Sequence, residues 1–102
     1  MEEDAILVQR AVQGCEDAFA ALIGRHRRLV FSVVWSLLQD RDDAEDAAQE
    51  TWVLAYRHLP KLRDPARFAA WLCALARHTG YKWLGNRAIE PQRYARLEEL
   101  AV

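Results

Sequence analysis

Apolar residues recur at three- and four-residue steps from Phe19 through Leu22, Ile23, Val30, Val33, Val34 and Leu37. A helix turns once in about 3.6 residues, so this spacing lays one apolar stripe along a long helix. No segment alternates apolar and polar residues for long, and β-branched residues are few outside Val30, Val33 and Val34. The chain is therefore expected to be all-α, a compact bundle of about four helices. Helix one is expected over about 4–12, ending before Gly14, and helix two from near Asp17 to about 38, with Arg25, Arg27 and Arg28 in its middle. Helix three is expected to start at Asp42 as N-cap, with Glu45 at the third helical position as in a capping box, and to stop before Pro60. Ala44, Ala47, Ala48, Thr51, Trp52 and Ala55 form its inward stripe.

Helix four carries a specific start signal, Asp64 as N-cap and Pro65 at the first helical position. Phe68, Leu72, Leu75, Thr79 and Trp83 make its buried stripe. Gly80 is expected to weaken the helix, and Gly85-Asn86 to end it. Residues 1–87 thus form one helical domain, and 88–102, which contain Pro91, read as a linker or a short C-terminal helix.

A chain of 102 residues holds one hydrophobic core and not two. With 52% apolar and 28% charged residues it should be globular rather than disordered. Four Trp is many for this length, enough that some should serve contacts as well as the core. The acidic start MEEDAILVQR lacks the order of a signal peptide, and no apolar run reaches the ~18 residues of a membrane span. Cys15 and Cys73 fit neither a disulfide framework nor a zinc site, and read as reduced thiols of a cytoplasmic protein. His26, His58 and His78 show no metal-ligand spacing. No metal and no cofactor are expected.

The net charge of −1 hides segregation. Residues 40–56 hold six acids and one Arg, while 57–87 hold seven Lys or Arg and one Asp. Two surfaces with different partners would produce this pattern, and so would ordinary solvated helix faces. In DAEDAAQETWVLAYR, Asp46, Gln49 and Glu50 are neighbours at i, i+3 and i+4, away from the Trp52 stripe. Acids suit the first turn of a helix, but Glu50 lies too far in for the helix dipole to account for it. The group reads as solvated surface, an acid/base pair, or a socket for a basic protein. No nucleophile or ligand set accompanies it, so an enzyme is not the preferred reading.

In LPKLRDPARFAAWLCALARHTGYKWLGNR, residues 59–87, base and aromatic interleave. Lys61 and Arg63 sit in a Pro-bounded loop, and Arg67, Trp71, Arg77, His78, Tyr81 and Lys82 follow. Trp71, His78 and Lys82 share a helix face. Cations hold phosphates, and an aromatic can stack on an unpaired base or wedge at a duplex junction. Taken alone, an aromatic on a helix is more often core.

Together the two stretches resemble the second conserved region of bacterial RNA polymerase sigma factors, closest to the extracytoplasmic-function (ECF) group. The DAED-x-x-QE core, then F-x-x-WL-x-x-x-AR at this distance, carries the resemblance, and residues 4–38 fit that group's first two helices. The resemblance covers about residues 4–87. It implies a transcription initiation factor domain that docks on core RNA polymerase and recognises and melts the promoter −10 element as single-stranded non-template DNA. It implies that Asp46, Gln49 and Glu50 dock on the clamp coiled coil of the largest polymerase subunit, with Asp43 and Arg57 at the margins. It implies that the loop from about Leu59 to Ala66 captures a flipped base, with Lys61 and Arg63 as its polar contacts. Trp71 stands at the melting aromatic, and Arg67, Arg77, His78, Tyr81 and Lys82 would meet upstream DNA.

This chain departs from the pattern in places. Leu72 follows Trp71 where primary sigma factors carry a second aromatic, which is usual for the ECF group and implies weaker melting. His78 and Lys82 stand where that group commonly has Asn and Asp, a departure that bears on the −10 preference. The family's −35-reading domain has no counterpart in these residues. The alternative expectation is a regulatory module that binds an anti-sigma factor or another regulator without promoter DNA.

Overall fold

The computed structural model describes residues 3–87, and the expectation for the tail 88–102 lies outside them. Four helices account for most of this span: α1 Asp4–Val12, α2 Glu16–Leu38, α3 Arg41–His58 and α4 Phe68–Arg87. Two 3-10 turns, Leu59–Lys61 and Pro65–Arg67, join α3 to α4. α4 packs against both α2 and α3, α2 packs against α3, and α1 lies on α2 and the second 3-10 turn. The all-α bundle read from periodicity is the architecture found.

The core lies where the stripes converge. Leu22, Val30 and Val34 of α2 meet Ala44, Ala47 and Ala55 of α3 and Phe68, Leu72 and Ala76 of α4, all essentially inaccessible. Burying a side chain the size of Leu or Phe contributes about 1.5–3 kcal/mol. The alanines let α3 approach its neighbours closely. Thr51 and Thr79 are fully buried, and each hydroxyl donates to a carbonyl one turn back, Ala47 O at 2.8 Å and Leu75 O at 3.0 Å. Neither Thr therefore leaves an unsatisfied polar group in the core.

The helix ends follow local chemistry, with departures from expectation at the start of α3, at both ends of α4, and an added role for Gly80. α1 stops where Gly14 takes φ 100°, and the Cys15 N–H closes on Arg10 O at 3.0 Å. α3 starts two residues earlier than expected. Its N-cap is Asp40, whose side chain accepts from the Asp43 N–H at 3.0 Å. Gln39, left-handed at φ 50°, turns the chain so sharply after α2 that Asp40 already meets the first free N–H groups. α4 continues through Gly85 and Asn86 to Arg87, because Gly85 keeps a negative φ and so forms no left-handed stop.

Gly80 has a role beyond the expected weakening of the helix. It is fully buried, and a Cβ there would stand 2.6 Å from Leu37 Cδ1. The missing side chain gives α2 and α4 a close approach as well as lowering helix propensity. Asp64 caps as expected, accepting from the Ala66 N–H at 3.0 Å, but what it caps is the 3-10 turn Pro65–Arg67, and α4 itself begins at Phe68.

Candidate functional site

Asp46, Gln49 and Glu50 leave α3 in different directions. A helical wheel separates Gln49 from Glu50 by about 100°. Asp46 is exposed on the outer crest, and Gln49 is exposed on the side facing α2. Glu50 leans the other way, onto α4. Its Oε1 accepts from Lys82 Nζ at 2.6 Å and its Oε2 from Trp83 Nε1 at 2.7 Å. Glu50, which the sequence offers as part of a socket for a basic protein, therefore already has partners within the chain. Its partners lie 32 and 33 residues away, beyond the reach of any local pattern. The Lys82 and Trp83 hydrogen bonds hold the carboxyl below its ordinary pKa; partial burial opposes them, and the charges of Lys82 and His78 assist. Asp43 is half-buried in the first turn, and Arg57 is exposed in the last.

Gln49 borders an open groove between α2 and α3. Phe31, Trp35, Ala48 and Trp52 line it, with Arg27 and Arg28 along one side. Phe31 and Trp35 stack at 6.2 Å with 17° between their planes, and Trp35 remains 43% exposed. Sequence reasoning missed this aromatic floor. Trp35 lies four residues after Phe31, a spacing that gives them a common side, and the surplus of Trp was a signal for it.

The basic-aromatic stretch forms a second concavity where the loop meets α4. Leu62, Arg63, Asp64, Arg67, Ala70 and Trp71 line it. Three of the expected DNA contacts, Arg63, Arg67 and Trp71, are thus brought together. Trp71 is half-buried, its ring 5.9 Å from that of Phe68, so one side belongs to the core and the rest faces the concavity. Behind it, the His26 ring lies 5.5 Å from Phe68, and His26 Nε2 is 2.8 Å from Asp4 Oδ2. Arg25 donates to the other oxygen of Asp4 at 3.1 Å, so one carboxylate ties α1 to α2. His26 is a packing residue in this arrangement.

The remaining expected DNA contacts lie outside this concavity. Lys61 is exposed at the end of the first 3-10 turn. His78 and Lys82 are exposed further along the Trp71 side of α4, with Lys82 held by Glu50. Tyr81 is 49% exposed. Arg77 is exposed too, but the wheel turns it about 100° from His78 and away from the Trp71 face. The concavity offers two guanidiniums for phosphates or base edges and an indole for stacking, with Asp64 as a negative counterweight. Among the described residues no helix is long and apolar enough to cross a membrane.

Known proteins resemble this sequence. The family described as Sigma-70 region 2 matches residues 22–88, which include most of α2, all of α3 and α4, and both 3-10 turns. The RNA polymerase sigma-H factor of Pseudomonas aeruginosa is 31% identical over 90 residues, 88% of this chain and 47% of that protein. The ECF RNA polymerase sigma-E factor of Escherichia coli K12 is 35% identical over 88 residues, 86% of this chain and 46% of that protein. The sigma-E factor of Haemophilus influenzae is 31% identical over the same length. The chain spans about half the length of these curated relatives. The family's match runs through the acidic helix, the loop and the aromatic-basic helix without interruption, and the chain belongs to the Sigma-70 region 2 family.

Proposed function

We propose that this domain is a transcription initiation module of the sigma type that works in the cytoplasm, alongside the RNA polymerase named in its relatives' descriptions. α3 docks on the clamp coiled coil of core RNA polymerase. The loop and α4 take the promoter −10 element as single-stranded non-template DNA and help to melt it. The observation that carries this reading is the concavity of Arg63, Arg67 and Trp71 beside Leu62 and Ala70. It combines cations, an aromatic edge and an apolar wall, the kinds of group that hold an unstacked base and its phosphate. Asp46, Gln49 and the Phe31–Trp35–Trp52 groove supply the protein-facing side, where a helix could lay an apolar stripe.

The test uses the 102-residue chain and a labelled single-stranded −10 oligonucleotide. Weak binding with a shallow, measurable fall as salt rises is expected, because few phosphates are neutralised and each adds only about 0.7 to the slope of log K against log salt. Trp71→Ala should lower oligonucleotide binding and promoter opening while core polymerase is still captured. Asp46→Arg and Trp35→Ala should do the reverse with helical circular dichroism unchanged. Equal loss of both activities in Trp71→Ala would assign that ring to the core. A second reading rests on Trp35, exposed in an apolar groove: a regulator such as an anti-sigma factor occupies that groove and DNA plays no part. Capture of such a regulator, with no oligonucleotide binding at low salt, would favour it.

A further inference from the structure

A carboxylate joins the two faces of the domain. Glu50 belongs to α3, which the reading above turns toward a protein, while Lys82 and Trp83 belong to α4, which that reading turns toward nucleic acid. Each Glu50 oxygen accepts one bond, at 2.6 Å from the ammonium and 2.7 Å from the indole. The two bonds differ in kind. The Trp83 ring is packed against the core, so its N–H is fixed in place. Lys82 is half exposed on a flexible four-carbon stem and can swing into solvent without disturbing the core. A carboxylate has about four lone-pair sites, so Glu50 can receive an incoming cation while the indole stays bound.

We propose that Glu50 is a positioning residue that acts as a latch between the two faces. In the free domain it holds Lys82 away from nucleic acid, and a cation brought to α3 by a partner takes its place and releases Lys82 to a phosphate. This rests on the reading above, that α3 meets a basic protein and α4 meets DNA. The geometry favours exchange over simple addition. The Glu50 side chain is only 30% exposed, so a guanidinium arriving at the α3 surface must crowd the Lys82 ammonium. Like charges at that distance repel, and Lys82 is the group that is free to leave. Once released, it stands on the side of α4 that carries Trp71 and His78. Docking on one face would then strengthen binding on the other, and DNA would by reciprocity strengthen docking.

The experiment reads the number of phosphates neutralised. The salt dependence of binding to a labelled single-stranded −10 oligonucleotide is measured for the wild-type chain, Glu50→Gln, Lys82→Gln, the double variant, and Asp42→Asn as an exposed charge control on the same helix. Each phosphate contact to a single strand adds about 0.7 to the slope of log K against log salt. Glu50→Gln should steepen the slope by about that amount. Lys82→Gln, the double variant and Asp42→Asn should keep the wild-type slope. Equal slopes for Glu50→Gln and wild type would overturn the latch, and so would the same gain in the double variant.

A second arm needs no DNA. Hexa-arginine peptide is titrated into labelled protein while the Trp83 indole N–H resonance is followed. A shift is expected in wild type and not in Glu50→Gln, and an unresponsive wild type would overturn the release step. If no variant binds DNA while the peptide response is intact, the nucleic-acid reading falls, and with it the delivery of Lys82 to a phosphate. Binding with equal slopes sinks the latch alone.

Discussion

Glu50 Oε2 accepts a hydrogen bond from the Trp83 indole at 2.7 Å, although the two residues lie 33 positions apart on different helices. Together with Lys82 this bond stabilises the ionised form and lowers the carboxyl pKa below its ordinary 4.5. A carboxyl whose pKa is lower in the folded than in the unfolded state stabilises the fold fully above its unfolded value. That contribution is lost as pH falls through the lowered one. Glu50→Gln should therefore cost on the order of 1 kcal/mol at pH 7, a charged hydrogen bond discounted for partial exposure. The difference from wild type should shrink to nothing well below pH 4.5. Urea unfolding of both chains across pH 2.5–7 checks the sign.

Asp40, and not Asp42, caps α3. Asp40→Ala should destabilise the domain by about 1 kcal/mol, the usual loss for an N-cap acid. Asp42→Ala lies in the first turn and should cost only a few tenths through the helix dipole. Thermal unfolding of the pair gives the ranking, and equal effects would argue against the Asp40 cap.

Gln39 holds φ 50°, a region where a side chain with a Cβ is strained. Gln39→Gly removes that strain but gains freedom in the unfolded chain. A net stabilisation of about 0.5–1 kcal/mol is expected from chemical denaturation. A loss of stability would show that the Gln39 side chain contributes something other than conformation.

Asp64 has two roles that substitution can separate. It caps the turn before α4, and it places a negative charge among Arg63, Arg67 and Trp71. Asp64→Asn should keep the cap, change stability by a few tenths of a kcal/mol, and tighten oligonucleotide binding. Asp64→Ala should cost about 1 kcal/mol and loosen the loop. Melting curves and anisotropy on the same samples distinguish the two roles.

The helices themselves were legible because their determinants are local. The stripes from Phe19 to Leu37 and from Phe68 to Trp83, the Asp64-Pro65 start and the stop at Gly14 each depend on residues within one or two turns. The gathering of Arg63, Arg67 and Trp71 was not legible in the sequence, which grouped Lys61 with Arg63 and Trp71 with His78 and Lys82; it comes from how the short loop folds onto the start of α4. The α3 boundary was not legible either, because a left-handed Gln39 moved the cap, and no periodicity reports the φ of a glutamine.

The sequence by itself determined which residues share a helix, and that Asp46, Gln49 and Glu50 lie on its polar side. Only the tertiary structure decided what each one meets. Packing the alanine stripe of α3 between α2 and α4 turned Gln49 toward an aromatic groove and Glu50 toward Lys82 and Trp83. It also gave Gly80 its purpose against Leu37. The physical reason is range: a stripe fixes the inward side of a helix, but the groups flanking that side are paired by how closely its neighbours approach.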